Sequence, residues 1–303
     1  MTFRVHPWRF CFTSLEALHF PEGKSGNVLR GAFGIIFRRI VCVPECTGPA
    51  SCNVRDACAY ARIFEPSAAG RGPSGLADSP RPFVFRAAHL DGRTIRPGER
   101  FHFDLHLFDT REPAFAHFAQ AFAEFGNEGI GPRRGRARLD QVWQLDADGL
   151  PRWRVPEQSP GPVEISLVPD VRSVERLVVR FVTPTELKAG NTIAQRPEFR
   201  IVIERARDRV STLCWLYGEG ALDMDFRGMS ERAALVRMTR CNIRHVRAER
   251  RSSRTGQSHP LGGFVGEAEY EGDLAEFLPL LHAARWTGIG RQTVWGKGAF
   301  ELG

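Results

Sequence analysis

The sequence predicts an α+β protein built from tandem ferredoxin-like (βαββαβ) domains, with a cysteine-rich insertion in the first. Two observations lead to this fold class. The order of predicted strands and helices in the first half recurs in the second, and in each half an amphipathic helix leads into a Gly-Ile-Gly turn and a strand. The length of 303 residues also suits two medium-sized domains. We predict these domains over residues 1–150 and 163–303.

Apolar periodicity defines the elements of the first half. Phenylalanines at positions 115, 118, 122 and 125 follow helical spacing, whereas residues 101–108 alternate between apolar and polar as a half-buried strand does. An Asp-Gly pair at 91–92 fits the connection of a hairpin. The predicted elements are a strand at 3–12, a helix at 25–40, hairpin strands at 83–89 and 101–108, a helix at 115–125 and a strand after 129–131.

The second half repeats this order. The elements predicted there are a strand at 174–182, a helix at 199–217, strands near 238–249 and 261–270, a helix at 274–281 and a last strand after 288–290. The segment 146–162 is rich in Pro and Gly, which predicts a linker between the halves, and 67–82 is predicted to be a mobile loop.

Charge and composition favour a polyanionic partner. The net charge is +7, and lysine occurs only at positions 24, 188 and 297, so arginine carries almost all of the positive charge. The planar guanidinium binds phosphate through two hydrogen bonds and stacks on bases, which suits RNA, although a GC-rich genome would also favour arginine codons. No apolar run approaches the roughly 20 residues that span a bilayer, and the first residues lack a secretory signal, so we expect no membrane association and a cytoplasmic protein.

The last Gly-Ile-Gly turn opens a glycine-rich, basic loop over residues 288–298. Glycines permit positive φ angles and close backbone approach, so that successive N–H groups can face a phosphate while arginine and lysine supply charge. The alternative is a turn that only reverses the chain between helix and strand. The residues predicted to bind RNA here are Gly288, Gly290, Arg291, Gln292, Gly296, Lys297 and Gly298.

Two further basic clusters precede this loop. Arg250, Arg251 and Arg254 lie at the predicted end of a strand, and a second patch occupies positions 133–138. Phosphate contacts are one interpretation. A charged strand edge that discourages aggregation is the other.

Four cysteines, Cys42, Cys46, Cys52 and Cys58, follow the first predicted helix with the spacing C-x3-C-x5-C-x5-C. Four nearby thiolates can close a tetrahedral zinc site or hold an iron–sulfur cluster, and the spacing does not distinguish the two. Unligated thiols are the alternative. In either case we expect a structural role, with no cofactor for catalysis.

Several motifs resemble the CRISPR precursor-RNA-processing endoribonuclease family of the RAMP superfamily. They are Leu-Arg-Gly-Ala-Phe-Gly at 29–34, Ile-Phe-Glu-Pro at 63–66, the Phe-Val-Thr-Pro-Thr-Glu-Leu strand at 181–187, the block from 251 to 281, and the closing glycine loop. The resemblance covers most of the chain. It implies two ferredoxin-like domains, a CRISPR repeat RNA as substrate, other CRISPR effector subunits as partners, and metal-independent cleavage that leaves a product able to stay bound.

The implied chemistry is attack of a ribose 2′-hydroxyl on the adjacent phosphate. It needs a base near the hydroxyl, an acid near the leaving 5′-oxygen and positive charge on the phosphorane. We predict that His19 acts as base or acid, and that Lys24 or Arg30 steadies the phosphorane.

Two other functions stay open. Many relatives carry a histidine just after the first helix and another before the final glycine loop, where this chain has no histidine until His89 and has Trp286-Thr287. If the absence of these histidines means that the chain does not cleave RNA, it is a catalytically silent RAMP subunit that holds guide RNA in an effector complex. Alternatively, the duplicated fold serves small-molecule or metal-cluster chemistry around the cysteines.

Overall fold

The computed structural model describes residues 1–43, 45, 46, 48, 52–66, 79–112, 114–156, 161–169, 172–251 and 258–303. The chain forms two compact units. The N-terminal unit comprises Arg4–Val163 and Trp215–Gly220, and the C-terminal unit comprises Met1–Phe3, Glu164–Cys214 and Ala221–Gly303.

The helices and strands of the first half begin and end close to their predicted bounds. They are β1 (Thr2–Ser14), β2 (Leu18–His19), α1 (Ser25–Val41), β3 (Phe83–Arg86), β4 (Thr94–Ile95), β5 (Arg100–Leu107), α2 (Phe115–Glu128), β6 (Ala137–Leu145), β7 (Pro151–Val155) and β8 (Val163–Ser166). In the main sheet, five strands follow the order β3-β5-β1-β6-β7, and each neighbouring pair is antiparallel. The first four of these give the strand order of a ferredoxin-like fold.

Aromatic side chains fill the space between this sheet and its two helices. Phe33 on α1 is fully buried at the centre. Its ring stacks on Phe118 and Phe122 of α2, with centroids 5.1 and 5.0 Å away, and meets Phe85 of β3 edge-on. Because Phe118 and Phe122 lie one turn apart on α2, helical periodicity is what brings both rings to Phe33.

The C-terminal unit repeats the same topology with additions. Its elements are β9 (Arg176–Thr185), β10 (Lys188–Ala189), β11 (Thr192–Ile193), α3 (Phe199–Tyr217, which ends in the N-terminal unit), α4 (Phe226–Ala233), β12 (Arg237–Val246), β13 (Glu249–Arg251), β14 (Ser258–Pro260), β15 (Gly263–Glu271), α5 (Leu278–Thr287) and β16 (Phe300–Leu302). The sheet order is β12-β15-β9-β16, which matches the order β3-β5-β1-β6 of the first unit. The tandem ferredoxin-like fold is confirmed.

Three local predictions differ from the structure. The segment 146–162, predicted as a linker, contains β7, which pairs with β6 and adds an edge strand to the sheet. The predicted helix at 274–281 begins later, at Leu278, because Pro279 occupies a first-turn position where its missing N–H costs nothing. Helix α4, capped by the Asp225 carboxylate on the Gly228 N–H at 2.9 Å, was not predicted. The loop predicted at 67–82 lies mostly outside the described residues.

Within the described residues, no helix combines the length and hydrophobicity that crossing a lipid bilayer requires.

One partly buried histidine, His6, predicts a pH-dependent stability. His6 stacks on Trp8 with ring centroids 5.3 Å apart, and burial lowers its pKa to about 4, although Asp109 acts in the opposite direction. Its unfolded-state pKa is near 6.5, so between pH 6.5 and 4 the unfolded chain binds the extra proton. We therefore expect this histidine to remove about 2–3 kcal/mol of unfolding free energy as the pH falls through that window.

Urea denaturation of the wild type and of His6→Phe, which keeps a ring on Trp8, checks this. Other groups titrate in the same range, so the quantity of interest is the difference between the two proteins. From pH 6.5 to 4 the wild type should lose more unfolding free energy than His6→Phe does. A difference between the two proteins that is independent of pH would contradict the assignment to His6.

Candidate functional site

His19 is held at the surface of the N-terminal unit by its short strand. Its neighbours Leu18 and Phe20 are fully buried, so strand alternation turns the intervening His19 side chain outward, where it is half-buried. Strand β2 pairs with β4, which sets His19 opposite Thr94, and the His19 Nδ1 lies 3.1 Å from the Thr94 Oγ1. A hydrogen bond at one ring nitrogen orients the imidazole and lets the other nitrogen serve a substrate.

A basic turn packs against this strand. A Cβ added to Gly131 would lie 2.7 Å from the His19 carbonyl oxygen, which shows how closely the turn at 129–135 approaches β2. The turn carries two exposed arginines, Arg133 and Arg134. Arg134 also donates from Nη2 to the Glu128 carbonyl oxygen at 3.2 Å, closing the end of α2. The structure thus packs the turn that carries Arg133 and Arg134 against the strand that carries His19, two features that sequence analysis treated separately.

Lys24 and Arg30, the two cations predicted to act with His19, both lie on or beside α1, where their surroundings differ. Lys24 is exposed at the N-terminal end of α1, whose first N–H, that of Ser25, donates to the Asp91 carboxylate at 2.9 Å. Arg30 lies further along the helix and places its guanidinium carbon 4.8 Å from the centre of the Phe64 ring. Lys24 therefore offers its charge to solvent, while part of the Arg30 guanidinium lies against the aromatic core.

The glycine-rich loop at 288–298 follows α5 and is tethered to the end of β9. Its four glycines have φ angles between +68° and +78°, and Gln292 is also left-handed at +65°. The Arg291 N–H donates to the Glu186 carbonyl oxygen at 3.0 Å, and the Gly298 N–H donates to the Pro184 carbonyl oxygen at 3.1 Å. These bonds hold the loop in one shape, which only residues that tolerate positive φ can adopt.

The two charged side chains of this loop are engaged within the protein. The Arg291 Nη1 lies 2.6 Å from the Glu186 Oε1, and the Arg291 side chain is half exposed. Lys297 is buried, with 4% of its surface exposed. A phosphate bound at this loop would therefore compete with Glu186 for Arg291.

Gly298 offers a direct test of this geometry. A Cβ at Gly298 would lie 2.0 Å from the Ile289 carbonyl oxygen, at a φ of +70°. We expect Gly298→Ala to lower the unfolding free energy by at least about 2 kcal/mol, since the left-handed strain and the clash add. The matched control is Gly190→Ala, which also has positive φ, +59°, but meets nothing within 4 Å. Thermal melts that show equal losses for both variants would contradict this.

The remaining predicted RNA-binding arginines lie beside the hairpin of β13 and β14. In this hairpin Arg250 pairs with His259 and Arg251 with Ser258 along the backbone. Arg254, between the two strands, lies outside the described residues. Nearby, exposed His245 on β12 meets the Phe264 ring edge-on at 6.2 Å.

The four cysteines after α1 are close together. The Cys42 thiol neighbours those of Cys58 and Cys46, and the Cys46 thiol neighbours that of Cys52. Burial, helped by the neighbouring thiols, raises the pKa of Cys42 to about 12. The thiols thus form a chain of contacts, and among the residues that the structure describes no His, Cys, Asp or Glu cluster has the geometry of a finished metal site. Clustering of the cysteines is what the structure establishes.

Structural comparisons extend over nearly the whole chain. The product complex of Thermus thermophilus Cas6 (TTHB231) is 16% identical with a TM-score of 0.58, covering 99% of each chain. The Cas6 (TTHA0078) product complex is 18% identical with a TM-score of 0.52, covering 100% of each. A partial Cas6-RT-Cas1–Cas2 complex is 9% identical with a TM-score of 0.60, covering 99% of this chain and 46% of that one. At these identities the likeness shows the fold.

Family comparisons identify both halves. Residues 3–164, more than half of the chain, match the AF_1859_N family, described as an N-terminal domain, and residues 179–300 match CRISPR_Cas6, the CRISPR-associated endoribonuclease Cas6. No curated protein sequence matches the chain. The second match covers β9, the glycine loop and the basic hairpin, which carry the motifs behind the sequence resemblance. The chain therefore joins an N-terminal domain of the AF_1859_N family to a CRISPR-associated endoribonuclease Cas6 domain over residues 179–300.

Proposed function

We propose that this protein cuts CRISPR repeat RNA by attack of a ribose 2′-hydroxyl on the adjacent phosphate, without a divalent ion. The observation that supports this is His19, oriented by Thr94 and flanked by the basic turn at 129–135. In this reaction a bond forms between phosphorus and O2′ while the bond from phosphorus to O5′ breaks, giving a 2′,3′-cyclic phosphate and a free 5′-hydroxyl. The proton leaves O2′ and one is returned to O5′.

His19 is our candidate for one of these proton transfers. A positioned general acid or base contributes typically 10²- to 10⁴-fold to such a step. We assign Lys24, exposed at the positive end of α1, the role of stabilising phosphorane charge, and Arg30 a supporting electrostatic role. Arg133, exposed on the turn beside β2, is a third cation for the same charge.

We further propose that the glycine loop and the β13–β14 hairpin hold the RNA backbone. Gly288, Gly290, Gln292, Gly296 and Gly298 shape the loop, and Arg291 would exchange Glu186 for a phosphate when RNA binds. Lys297 would act from its buried position by supporting the loop. Arg250, Arg251 and Arg254 would contact phosphates from the hairpin.

Product retention and assembly belong to the same proposal. Two of the similar solved structures are product complexes, and another joins Cas6 to reverse transcriptase, Cas1 and Cas2. We propose that this chain keeps its RNA product, passes it to other CRISPR effector subunits, and works in the cytoplasm where the transcripts are made.

Cleavage in chelator tests the mechanism. Purified protein is incubated in EDTA with the CRISPR repeat RNA of its own genome, alongside the same RNA with one 2′-deoxyribose at the mapped cut. We expect cleavage of the all-ribose RNA and none of the deoxy RNA. Tight binding without cleavage of either RNA would contradict the enzymatic mechanism and favour the silent RNA-holding subunit.

We also propose that the cysteine segment binds a structural metal through Cys42, Cys46, Cys52 and Cys58. The thiols already contact one another, so modest movements would bring them around one tetrahedral ion or one iron–sulfur cluster. The group would clamp the insertion that follows α1.

Metal analysis of protein purified under reducing conditions, without oxygen, distinguishes a zinc ion from an iron–sulfur cluster. One equivalent of zinc, or iron with visible absorbance, should be present in the wild type and lost in Cys46→Ser. Cys241→Ser, which changes a cysteine on β12, should keep it. Wild-type protein that stays metal-free after reconstitution with each group would refute the site.

A further inference from the structure

Strand β12 forms a long, open edge of the C-terminal sheet. It pairs with β15 on one side, and among the residues that the structure describes no strand pairs with its other side. Sheet edges are usually kept short, because a row of unpaired N–H and C=O groups can accept a strand from another chain. The edges formed by β3, β7 and β16 follow this rule, with 4, 5 and 3 residues, and β7 begins with a proline. Strand β12 has 10 residues and no proline.

The ladder with β15 shows which backbone groups of β12 face the open edge. A Cβ added to Gly266 of β15 would lie 2.2 Å from the Asn242 carbonyl oxygen, so Asn242 turns its backbone groups toward β15. Successive residues of an antiparallel ladder turn these groups to opposite sides. The N–H and C=O groups of Cys241 and Ile243 therefore point away from β15. The pairing runs without a bulge over residues 240–246, so this part of the edge is regular.

The side chains of β12 that face the helices are mainly apolar. Tyr270 of β15 is fully buried and its ring packs against Phe199 of α3, which identifies the face of the sheet that the helices cover. The β12 side chains on that face are Met238, Cys241, Ile243 and His245, of which the first three are partly buried. A strand added beside them would cover apolar surface that β12 leaves at the rim of the core.

The opposite face of β12 carries arginines. They are Arg237, Arg240 and Arg244, and all three are exposed. Arg237 is ion-paired with a β15 glutamate at 3.3 Å. The Arg240 Nη2 lies 3.8 Å from the Glu267 Oε2, while the other oxygen of that carboxylate is bound by Arg180 of β9 at 2.9 Å. Arg244 forms no ion pair within the part of the chain that the structure describes. Unmatched positive charge thus lies at Arg244, with the weakly paired Arg240 beside it.

These features distinguish between the possible occupants of the edge. A second copy of β12 would bring another row of arginines next to the first, and like charges on directly opposed residues destabilise a sheet. RNA would find cations here, but Met238, Cys241 and Ile243 offer no flat ring on which a base stacks. An acidic protein strand matches both faces, because its backbone extends the ladder, its apolar side chains cover the helix side and its carboxylates meet the arginines.

We infer that the open edge of β12 binds an extended segment of another protein, in which acidic residues alternate with apolar ones, as an added strand of the C-terminal sheet. Main-chain hydrogen bonds at Cys241 and Ile243 supply affinity, and the alternation of side chains supplies specificity, as in other complexes formed by strand addition. This role is separate from RNA cleavage, since no residue proposed above for proton transfer or for RNA contacts lies in β12.

Fluorescence anisotropy with a labelled peptide tests the edge on the full-length protein. The probe has about eight residues, a common strand length, and alternates glutamate with valine, while a control peptide holds the same residues in two separate blocks. We expect the alternating peptide to bind and the block peptide to bind far more weakly, because only alternation places all the carboxylates on one face of a strand.

Two variants of β12 localise the binding. Arg244→Glu should weaken it by about 2- to 30-fold, because an attractive cross-strand pair becomes a repulsive one. Ile243→Pro removes an N–H that points to the open edge and should abolish binding, with the fold checked by circular dichroism. The matched control is Arg227→Glu, which makes the same change of charge at a side chain of α4 that is 91% exposed and should bind the peptide like the wild type.

Several results would overturn the inference. The alternating peptide does not bind, it binds no better than the block peptide, or Arg244→Glu and Ile243→Pro bind it as tightly as the wild type. Displacement of the peptide by an unstructured RNA oligonucleotide would assign the edge to RNA instead. A wild-type dimer in analytical ultracentrifugation that Ile243→Pro converts to a monomer would assign the edge to a second copy of the chain.

Discussion

Replacing His19 with alanine is expected to lower the rate of repeat-RNA cleavage by about 10²- to 10⁴-fold, the contribution of a well-placed general acid or base. RNA affinity should change little, because the exposed arginines of the basic turn beside His19 are unchanged. Single-turnover cleavage in EDTA, with saturating protein, measures the chemical step apart from binding. The expected signature is a slow rate with an unchanged dissociation constant.

Two variants make this result specific. His117→Ala, which removes a half-buried histidine on α2 near Phe37, should cleave like the wild type. Thr94→Val removes the hydroxyl at the His19 Nδ1 and should slow cleavage by about fivefold, since one neutral hydrogen bond contributes roughly 1 kcal/mol. If His19→Ala cleaves within a few-fold of the wild type, another residue carries the proton transfer.

Phe33→Ala is expected to have the largest effect on stability. The ring lies at the centre of the N-terminal core, fully buried between α2 and the sheet, and its removal leaves a cavity that rigid aromatic neighbours fill poorly. A Phe-to-Ala change of this kind costs about 3–5 kcal/mol of unfolding free energy. Urea denaturation followed by circular dichroism should show an early transition of this unit.

The control for this change lies on the same helix. Ile35 on α1 is 72% exposed, so Ile35→Ala removes little buried surface and replaces a β-branched residue with a better helix former. Its unfolding free energy should stay within about 0.5 kcal/mol of the wild type. Similar losses for Phe33→Ala and Ile35→Ala would mean that the aromatic cluster does not stabilise the unit as its packing indicates.

The linker prediction at 146–162 failed for a physical reason. Gly149, Pro151 and Pro156 are typical of a connection, yet the chain between the two prolines forms β7. An edge strand tolerates proline at its ends, because there the missing N–H need not serve the ladder. Alternation around Trp153 was too short to separate an edge strand from an extended linker without its partner β6.

The sequence indicated several residues of the candidate site, but it did not indicate which of them contact one another in the folded protein. His19 was predicted from its position before α1, but nothing local indicated Thr94, which is 75 residues away and meets it only when β2 pairs with β4.

Sequence by itself determined the duplicated ferredoxin-like fold, because helical and strand periodicities act over short stretches and the same order occurs twice. It also determined the family, through motifs that are contiguous in the chain. Tertiary structure alone decided which charges are available. Arg291 pairs with Glu186, Lys297 is buried, and Arg9 is held by Asp104. Those outcomes depend on strand register and long-range packing, since the free energy of an ion pair or a buried ammonium is set by neighbours that the linear sequence does not bring together.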